Sequence, residues 1–279
     1  MSDRLLTCVL DRGRVTEADG AEVPVRWWSF GKTVIAAAAL KLVEAGALSL
    51  DQPRDGEAWT LRQLLQHTAG LRDYGELPTY HAAVATGGAA WSREELLTAM
   101  SALPVQPPGE AFAYSNVGYM FVTEAIAAAA GKPFGEAVRE LVFEPLGLTR
   151  SALAERGDDG YDPAWVYHGL FRGPLSEAAA LLDALMARRL LSPAMLAQMR
   201  GRLPLPQFAG PLHAEPGYGL GLMSGDTTTG LRMEGHTGGG PGSSIAVYHC
   251  ATTGRTAAVF ALDDHTVRVE TACALRLKP

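Results

Sequence analysis

The stretch Trp27-Trp28-Ser29-Phe30-Gly31-Lys32 opens directly into an apolar run at residues 33–46, whose centre reads VIAAAAL at residues 34–40. This run is rich in strong helix formers and hydrophobic around most of its circumference, which predicts a helix buried in the middle of the fold. Gly46 is expected to end that helix. Ser29 then falls in its first turn, and Lys32, one turn further on, projects from the same face.

The pairing of a serine with a lysine one helical turn away suits covalent catalysis. A serine hydroxyl is a weak nucleophile until a base takes its proton, and a lysine desolvated among apolar side chains can lose its own proton and act as that base. The start of a helix adds unpaired backbone N–H groups and the positive end of the helix dipole, which favour nearby negative charge. The same spacing also fits a plain N-cap at Ser29 and a solvated Lys32.

A second motif overlaps the first, because Gly31-Lys32-Thr33 matches the end of a phosphate-binding loop. That loop requires a glycine five residues before Gly31, where this chain has Arg26. Bulky Trp27 and Trp28 also occupy the segment whose backbone amides would have to surround phosphate. The mismatch disfavours a nucleotide-binding site.

Composition bounds the class of protein. The 279 residues are 47% hydrophobic and 19% charged, typical of a globular protein with one large domain or two interleaved parts. A net charge of −6 without any basic block argues against a nucleic-acid partner. No apolar stretch is long enough to span a bilayer or to form a secretory signal, which predicts no membrane span and a cytoplasmic location. Cys8, Cys250 and Cys273 are too widely spaced for a zinc site, so three buried, reduced thiols are expected.

Strand patterns occupy both ends of the chain and helical periodicity occupies the middle. Strands are predicted at 5–10, 14–16, 22–27, 218–224, 231–234, 243–248 and 256–262. Helices are predicted at 60–67 with Thr60 as N-cap, and at 92–103, 117–130, 133–142, 176–189, 192–200 and 265–277. The proline-rich segment 203–217 is predicted to be an extended loop.

This order of elements predicts an α/β (α+β) fold. One antiparallel sheet is built from both chain termini and flanked by helices, and a mainly helical subdomain is inserted into it. Within a single domain at 1–279, we predict an α/β subdomain at 1–60 plus 205–279 and a helical subdomain at 61–204.

Two further motifs accompany the Ser29–Lys32 pair. Tyr114-Ser115-Asn116 lies between a turn at 107–110 and a predicted helix, so Tyr114 and Asn116 are expected to project from a loop. His236-Thr237-Gly238 follows a predicted strand and precedes a glycine-rich run, where the lack of side chains lets a substrate lie against the backbone. Read separately, Tyr114 also fits a core aromatic, Asn116 a helix N-cap and His236 a brace for a loop. Residues equally consistent with core packing and with a pocket lining are Trp27, Trp28, Tyr74, Tyr167, His168 and Tyr218.

With three motifs in this order, the chain resembles the serine hydrolases of the class C β-lactamase and penicillin-binding-protein group. That group includes esterases, D-amino-acid peptidases and amidases, and DD-peptidases. Segments 40–51, 64–71 and 144–148 also resemble it, and the resemblance extends over most of residues 28–248. It implies a β-lactamase/transpeptidase-like fold and hydrolysis through an acyl-enzyme, with no metal ion or organic cofactor.

The resemblance also implies roles for individual residues. Ser29 is the nucleophile, Lys32 its proton acceptor or electrostatic partner, and Tyr114 the group that carries the proton between nucleophile and leaving group. Residues implied in substrate binding or the oxyanion hole are Asn116, His236, Thr237, Gly238 and Gly239. The oxyanion donors are the backbone N–H groups of Ser29 and Gly239, while His67 is expected to pack beneath the site.

One departure from the group's pattern bears on the substrate, because His236 stands where a lysine is often found. Lysine offers a permanent positive charge to a substrate carboxylate, whereas a neutral imidazole does not. We therefore expect a small ester or amide substrate rather than a β-lactam. Two alternatives stay open: a D-amino-acid peptidase or weak β-lactamase/DD-peptidase, and a catalytically silent ligand-binding protein of the same fold. The sequence makes no prediction of oligomeric state.

Overall fold

The computed structural model describes residues 4–53, 56–103, 105–155 and 161–279. Its contacts divide the chain into two compact units. The first unit consists of Met1–Lys41, Val138–Ala152 and Phe171–Pro279, and the second of Leu42–Ala137 and Leu153–Leu170.

The strands form two sheets. Their bounds are β1 Leu6–Asp11, β2 Arg14–Asp19, β3 Pro24–Arg26, β4 Ala152–Leu153, β5 Phe171–Pro174, β6 Leu203–Pro204, β7 His213–Tyr218, β8 Met223–Thr227, β9 Arg232–Gly240, β10 Ser243–Cys250 and β11 Arg255–Ala261. Eight of them make the main sheet, in the order β2-β1-β11-β10-β9-β8-β7-β6, and the order of the small sheet is β3-β5-β4. The antiparallel pairing of β1 with β11 joins the two chain termini, which confirms the predicted fold class.

Nine α-helices lie in the described residues. They are α1 Gly31–Glu44, α2 Leu61–Leu65, α3 Pro78–Ala85, α4 Arg93–Met100, α5 Asn116–Ala130, α6 Phe134–Val138, α7 Leu175–Met186, α8 Pro193–Arg200 and α9 Thr266–Arg276. The predicted buried helix is confirmed as α1, because every residue from Lys32 to Leu40 has no exposed surface. In the described ranges no helix combines the length and the apolar character that crossing a bilayer requires.

Helices cover both faces of the main sheet. On one face, Val269 and Cys273 of α9 pack with apolar side chains of β1, β9, β10 and β11. On the other face, the hydroxyl of Thr256 in β11 donates to Asp183 Oδ1 of α7 at 2.9 Å. Alternate side chains of β11 therefore point to opposite layers, as the twofold period of a strand requires. All three cysteines are free and buried, as predicted.

Local capping fixes the start of α2 in the second unit. Gln63 N donates to Thr60 Oγ1 at 3.3 Å, and Thr60 N donates to Gln63 Oε1 at 2.8 Å. This reciprocal pair satisfies two backbone donors that the first helical turn leaves free. The predicted N-cap at Thr60 is confirmed.

Two predictions for the segment 203–224 were wrong. The single strand predicted at 218–224 is a hairpin, because Gly221 adopts a left-handed φ of +71° and turns the chain between β7 and β8. The loop predicted at 203–217 contains β6 and most of β7. Pro204 is compatible with β6 because that strand is at the edge of the sheet, where one missing N–H is tolerated.

The two units differ in their boundaries from the predicted subdomains. Helices α7 and α8 fall in the first unit rather than with the helical middle of the chain. The reason is visible for α7, which packs on β1, β10 and β11. Periodicity identifies a helix but does not tell which layer will cover its apolar face.

An ion pair between a partly exposed arginine and a buried carboxylate connects α8 to the strand that carries the His236 motif. Arg200 Nη2 lies 2.6 Å from Glu234 Oε2, and the Glu234 side chain is only 3% exposed. Arg200→Met would leave the buried Glu234 carboxylate without this partner. We therefore expect the substitution to lower the free energy of unfolding by about 3 kcal/mol. The double variant Arg200→Met/Glu234→Met should recover most of that loss. Urea unfolding measures the free energy of unfolding of both variants. A loss below about 1 kcal/mol in Arg200→Met would mean that the pair contributes no more than an ordinary surface ion pair.

Candidate active site

Ser29 and Lys32 meet where the segment Trp28–Phe30 enters α1; we call this segment the nucleophile turn, after the role that we propose for Ser29. A short 3-10 helix, Trp28–Phe30, precedes α1, so Ser29 lies in that turn rather than in the first turn of the α-helix. Lys32 Nζ donates to Ser29 Oγ at 3.2 Å. Lys32 is fully buried, whereas Ser29 is partly exposed. The lysine is thus held among apolar neighbours while the serine keeps access to solvent.

The His236-Thr237-Gly238-Gly239 motif lies inside β9, not after a strand as predicted. β9 continues to Gly240 because β10 pairs with it along its whole second half. β8 pairs only with Arg232–Gly235 of β9. Among the described residues, no strand therefore pairs with the other edge of β9 from His236 onwards, where Gly239 is exposed while His236 and Gly238 are buried.

The glycines of this motif allow the nucleophile turn to lie directly against β9. A Cβ atom added to Gly238 would stand 2.5 Å from Ser29 N and 2.7 Å from Trp28 Cβ. One added to Gly239 would instead stand 2.8 Å from Thr266 Cγ2, on the opposite face of the strand. Gly238 is therefore required for the close approach of the Ser29 backbone.

His236 is fully buried and neutral. Its Nδ1 lies within hydrogen-bond distance of the Thr237 carbonyl oxygen, and its Nε2 lies 2.9 Å from the Tyr218 hydroxyl. Because a carbonyl oxygen only accepts, we assign the proton to Nδ1, and Tyr218 then donates to Nε2. Burial, followed by the positive charge of Lys32, lowers the His236 pKa to about 3. The imidazole thus presents no positive charge at neutral pH.

Tyr114 and Asn116 lie in the second unit, around His67. The ring centroids of His67 and Tyr114 are 4.2 Å apart, and Ser115 N donates to His67 Nδ1 at 3.0 Å. His67 is buried, with a left-handed φ of +58°. Ser115, not Asn116, is the N-cap of α5, because its Oγ accepts from Gly118 N at 3.1 Å. Asn116 begins the helix instead of projecting from a loop.

Sequence reasoning missed Asp73, which orients Asn116. Asp73 Oδ1 accepts from Asn116 N at 3.1 Å, and Asp73 Oδ2 accepts from Asn116 Nδ2 at 2.9 Å. Since the amide nitrogen is directed at Asp73, the amide oxygen is turned away from that carboxylate. The two residues are 43 positions apart, and no periodic pattern links them.

The structure brings six of the eight predicted site residues together in the first unit: Ser29, Lys32, His236, Thr237, Gly238 and Gly239. The other two, Tyr114 and Asn116, belong to the second unit. Within the described ranges, no group of three or more His, Cys, Asp or Glu residues is arranged to hold a metal ion.

Comparison with known proteins assigns the family. A family model described as Beta-lactamase matches residues 7–277. The chain belongs to the beta-lactamase family. A D-aminopeptidase of Cereibacter sphaeroides (strain ATCC 17029 / ATH 2.4.9) is 28% identical over 214 residues, which cover 71% of this chain and 41% of that protein. This beta-lactamase-family chain thus spans about two fifths of the length of that relative.

Solved structures support the same fold for this beta-lactamase-family chain. A D-stereospecific amidohydrolase from Streptomyces sp. superposes with a TM-score of 0.80 at 24% identity, covering 93% of this chain and 89% of that one. A D-amino acid amidase from Ochrobactrum anthropi SV3, complexed with L-phenylalanine amide, gives a TM-score of 0.80 at 20% identity, covering 98% and 91%. At these identities the likeness establishes the fold alone.

The lowered His236 pKa predicts a specific pH dependence of stability. Between the ordinary pKa of 6.5 and the folded value of about 3, the unfolded chain binds a proton that the folded chain does not. Stability is therefore full above pH 6.5 and falls as the pH drops towards 3. Between pH 6.5 and pH 5, we expect the wild type to lose on the order of 1–2 kcal/mol of unfolding free energy through His236. His236→Asn should not show this loss, because an amide does not titrate.

The measurement is urea unfolding of wild type and His236→Asn at several pH values. The same substitution at His265, whose side chain is 77% exposed, controls for the loss of one imidazole in general. Parallel pH curves for wild type and His236→Asn would mean that His236 ionises in the folded protein much as it does in the unfolded chain.

Proposed function

We propose that this protein is a serine hydrolase that acts through an acyl-enzyme on Ser29. The observation that carries the proposal is the 3.2 Å contact between Lys32 Nζ and Ser29 Oγ, made by a fully buried lysine and a partly exposed serine. A lysine desolvated by burial can give up its proton and act as a base, and this one lies beside a hydroxyl where the chain enters α1. Membership of the beta-lactamase family supports the same chemistry.

The proposed acylation step starts from the form of Lys32 that has given up its proton. Ser29 Oγ forms a bond to the substrate carbonyl carbon while its own proton passes to Lys32 Nζ. The resulting oxyanion accepts hydrogen bonds from the N–H groups of Ser29 and Gly239, which contribute several kcal/mol to lowering the barrier. The bond from the carbonyl carbon to the leaving nitrogen or oxygen then breaks, and the leaving group takes a proton through Tyr114. Water adds to the acyl carbon in a second step, Ser29 regains its proton, and the acid is released.

The substrate-binding roles belong to the same proposal. Asn116, whose amide nitrogen donates to Asp73 at 2.9 Å, offers its oxygen to the amide N–H on the acyl side of a substrate. His236, whose pKa is lowered to about 3, supplies no cation for a substrate carboxylate. The neutral imidazole favours small esters and amides over β-lactams and carboxylate-terminated peptides, for which a fixed positive charge is the usual complement.

A more specific candidate substrate is an amide of a D-amino acid. A curated relative is named as a D-aminopeptidase, and two structural neighbours are named as a D-stereospecific amidohydrolase and a D-amino acid amidase. An amino acid amide has no carboxylate, which agrees with the neutral His236. A weak β-lactamase or DD-peptidase agrees less well, for the same electrostatic reason.

Covalent labelling tests the nucleophile. Incubation with a fluorophosphonate should add one mass adduct, which peptide mapping places on Ser29 and which Ser29→Ala abolishes. Lys32→Met keeps the buried volume but removes the base, and we expect its labelling rate to fall at least about 100-fold. Circular dichroism and urea unfolding of both variants establish that they are folded.

Two outcomes would contradict the proposal. An adduct on another residue, or no adduct with any acylating probe, would favour the catalytically silent binding protein. An unchanged labelling rate in folded Lys32→Met would remove the lysine from the mechanism.

A substrate panel ranks the enzyme alternatives. We expect measurable turnover of p-nitrophenyl acetate and D-phenylalanine amide, and turnover of a chromogenic cephalosporin at least about tenfold lower, because the neutral His236 offers no fixed positive charge to its carboxylate. L-phenylalanine amide tests stereospecificity, and N-acetyl-D-phenylalanine amide tests whether a free amine is needed. A cephalosporin rate above the ester and amide rates would overturn the substrate assignment while leaving Ser29 as nucleophile.

A further inference from the structure

Trp28, the residue directly before Ser29, has an unusual backbone conformation. Its φ is +39°, in the left-handed region that bulky side chains rarely adopt. Such residues persist only where their surroundings hold them, and they concentrate at functional sites. We propose that Trp28 is a positioning residue whose indole sets the distance between the Ser29 N–H and β9. This inference rests on the proposed function, since it concerns the oxyanion hole.

Polar contacts fix the indole to the turn between β9 and β10. Trp28 Nε1 donates to Ser243 Oγ at 2.9 Å, and only 4% of the residue is exposed. The Arg26 guanidinium lies 5.4 Å from the ring centroid, and Arg26 Nη1 donates to Pro241 O at 3.3 Å. The residue before the nucleophile is therefore held by the first residue of β10 and by a neighbour that also binds the turn.

The indole also packs flat against the strand. A Cβ added to Gly240 would stand 2.5 Å from Cη2, 2.5 Å from Cζ3 and 2.7 Å from Cε3 of Trp28. Gly238, two residues earlier on the same face, contacts Trp28 Cβ and Ser29 N in the same close manner. The ring thus packs over Gly240, while Trp28 Cβ and the Ser29 backbone nitrogen lie directly over Gly238.

Gly239 N–H and Ser29 N–H are the two proposed oxyanion donors, one from β9 and one from the turn that packs against it. An oxyanion hole works only when its donors stand about 2.7–3.1 Å from the developing negative oxygen. A displacement of about 1 Å can cost about 100-fold in rate. The indole therefore acts as a spacer beside this approach: by packing on Gly240 it holds the Ser29 N–H at its distance from β9, and with it the separation of the two donors.

The variant Trp28→Gly distinguishes this spacer role of the indole from a role of Trp28 in the backbone conformation of the turn alone. Glycine adopts a positive φ without steric cost, so Trp28→Gly would preserve or improve the turn if only the backbone conformation mattered. If the indole is the spacer, the same variant leaves an empty space above Gly240 and lets the turn and the strand shift. The two roles predict opposite results.

The experiment compares wild type with Trp28→Gly, Trp28→Phe and Ser243→Ala. Stopped-flow measurement with p-nitrophenyl acetate gives the acylation rate and KM, and phenylboronic acid reports affinity for a tetrahedral adduct on Ser29. For Trp28→Gly we expect acylation to fall about 100-fold, boronate affinity to fall in parallel, and KM to change less than about threefold. The milder Trp28→Phe and Ser243→Ala should each lose about 3- to 10-fold.

The matched control is Trp27→Phe. Trp27 is also buried and its Nε1 donates to Gly173 O at 3.3 Å, so this variant loses the same type of hydrogen bond. Because the Trp27 indole donates to β5 rather than to the β9–β10 turn, its acylation rate should stay within about twofold of wild type.

Folded Trp28→Gly that acylates within about threefold of wild type overturns the inference, as does a loss of stability with no change in acylation or boronate affinity. Where Trp28→Gly does not fold, wild-type rates in both Trp28→Phe and Ser243→Ala overturn it instead. Wild-type protein that forms no adduct on Ser29 removes the proposed function and this inference together. An adduct on Ser29 with unaffected Trp28 variants removes this inference alone.

Discussion

The constraint on which the proposed site depends is the close approach of the Ser29 backbone nitrogen to Gly238, where an added Cβ would stand 2.5 Å away. Several features follow from it. β9 must be free of side chains on that face, so Gly238 and Gly240 are both glycine. The turn must run parallel to the strand at short range, which the left-handed backbone of Trp28 permits. The chemistry proposed for Ser29 depends on this packing, because the same nitrogen is a proposed oxyanion donor.

Electrostatics impose a second constraint, since Lys32 and His236 are both fully buried. Two positive charges close together in a medium of low dielectric would repel strongly and lose their hydration. The His236 pKa of about 3 avoids this, because the imidazole stays neutral beside Lys32. The same neutrality deprives the site of a cation for substrate carboxylates. The burial of His236 therefore affects both the charge next to the proposed base, Lys32, and the class of substrate that we propose.

Apart from the sheet built from both ends of the chain, which is confirmed, what the residue patterns could predict was local. The helix that holds Lys32 and the cap at Thr60 follow from patterns within one or two turns, and both are confirmed. Contacts between distant segments were out of reach: Asp73 orients Asn116 from 43 residues away, and α7 joins the sheet unit through layers that periodicity does not specify. The hairpin at Gly221 was missed because apolar residues continue through it. The left-handed backbone of Trp28 has no sequence signal, since glycine is the residue expected there.

Two buried histidines illustrate why tertiary partners, rather than residue identity, determine chemistry here. At His67, a backbone N–H donates to Nδ1, so the proton of the neutral ring lies on Nε2. At His236, a backbone carbonyl faces Nδ1, so the proton lies on Nδ1 and Nε2 accepts from Tyr218. The same side chain is thus fixed in opposite tautomers by a single backbone group in each case. Because neither proton needs to move before a substrate binds, both hydrogen-bond patterns are set in advance, which is the condition for electrostatic preorganisation.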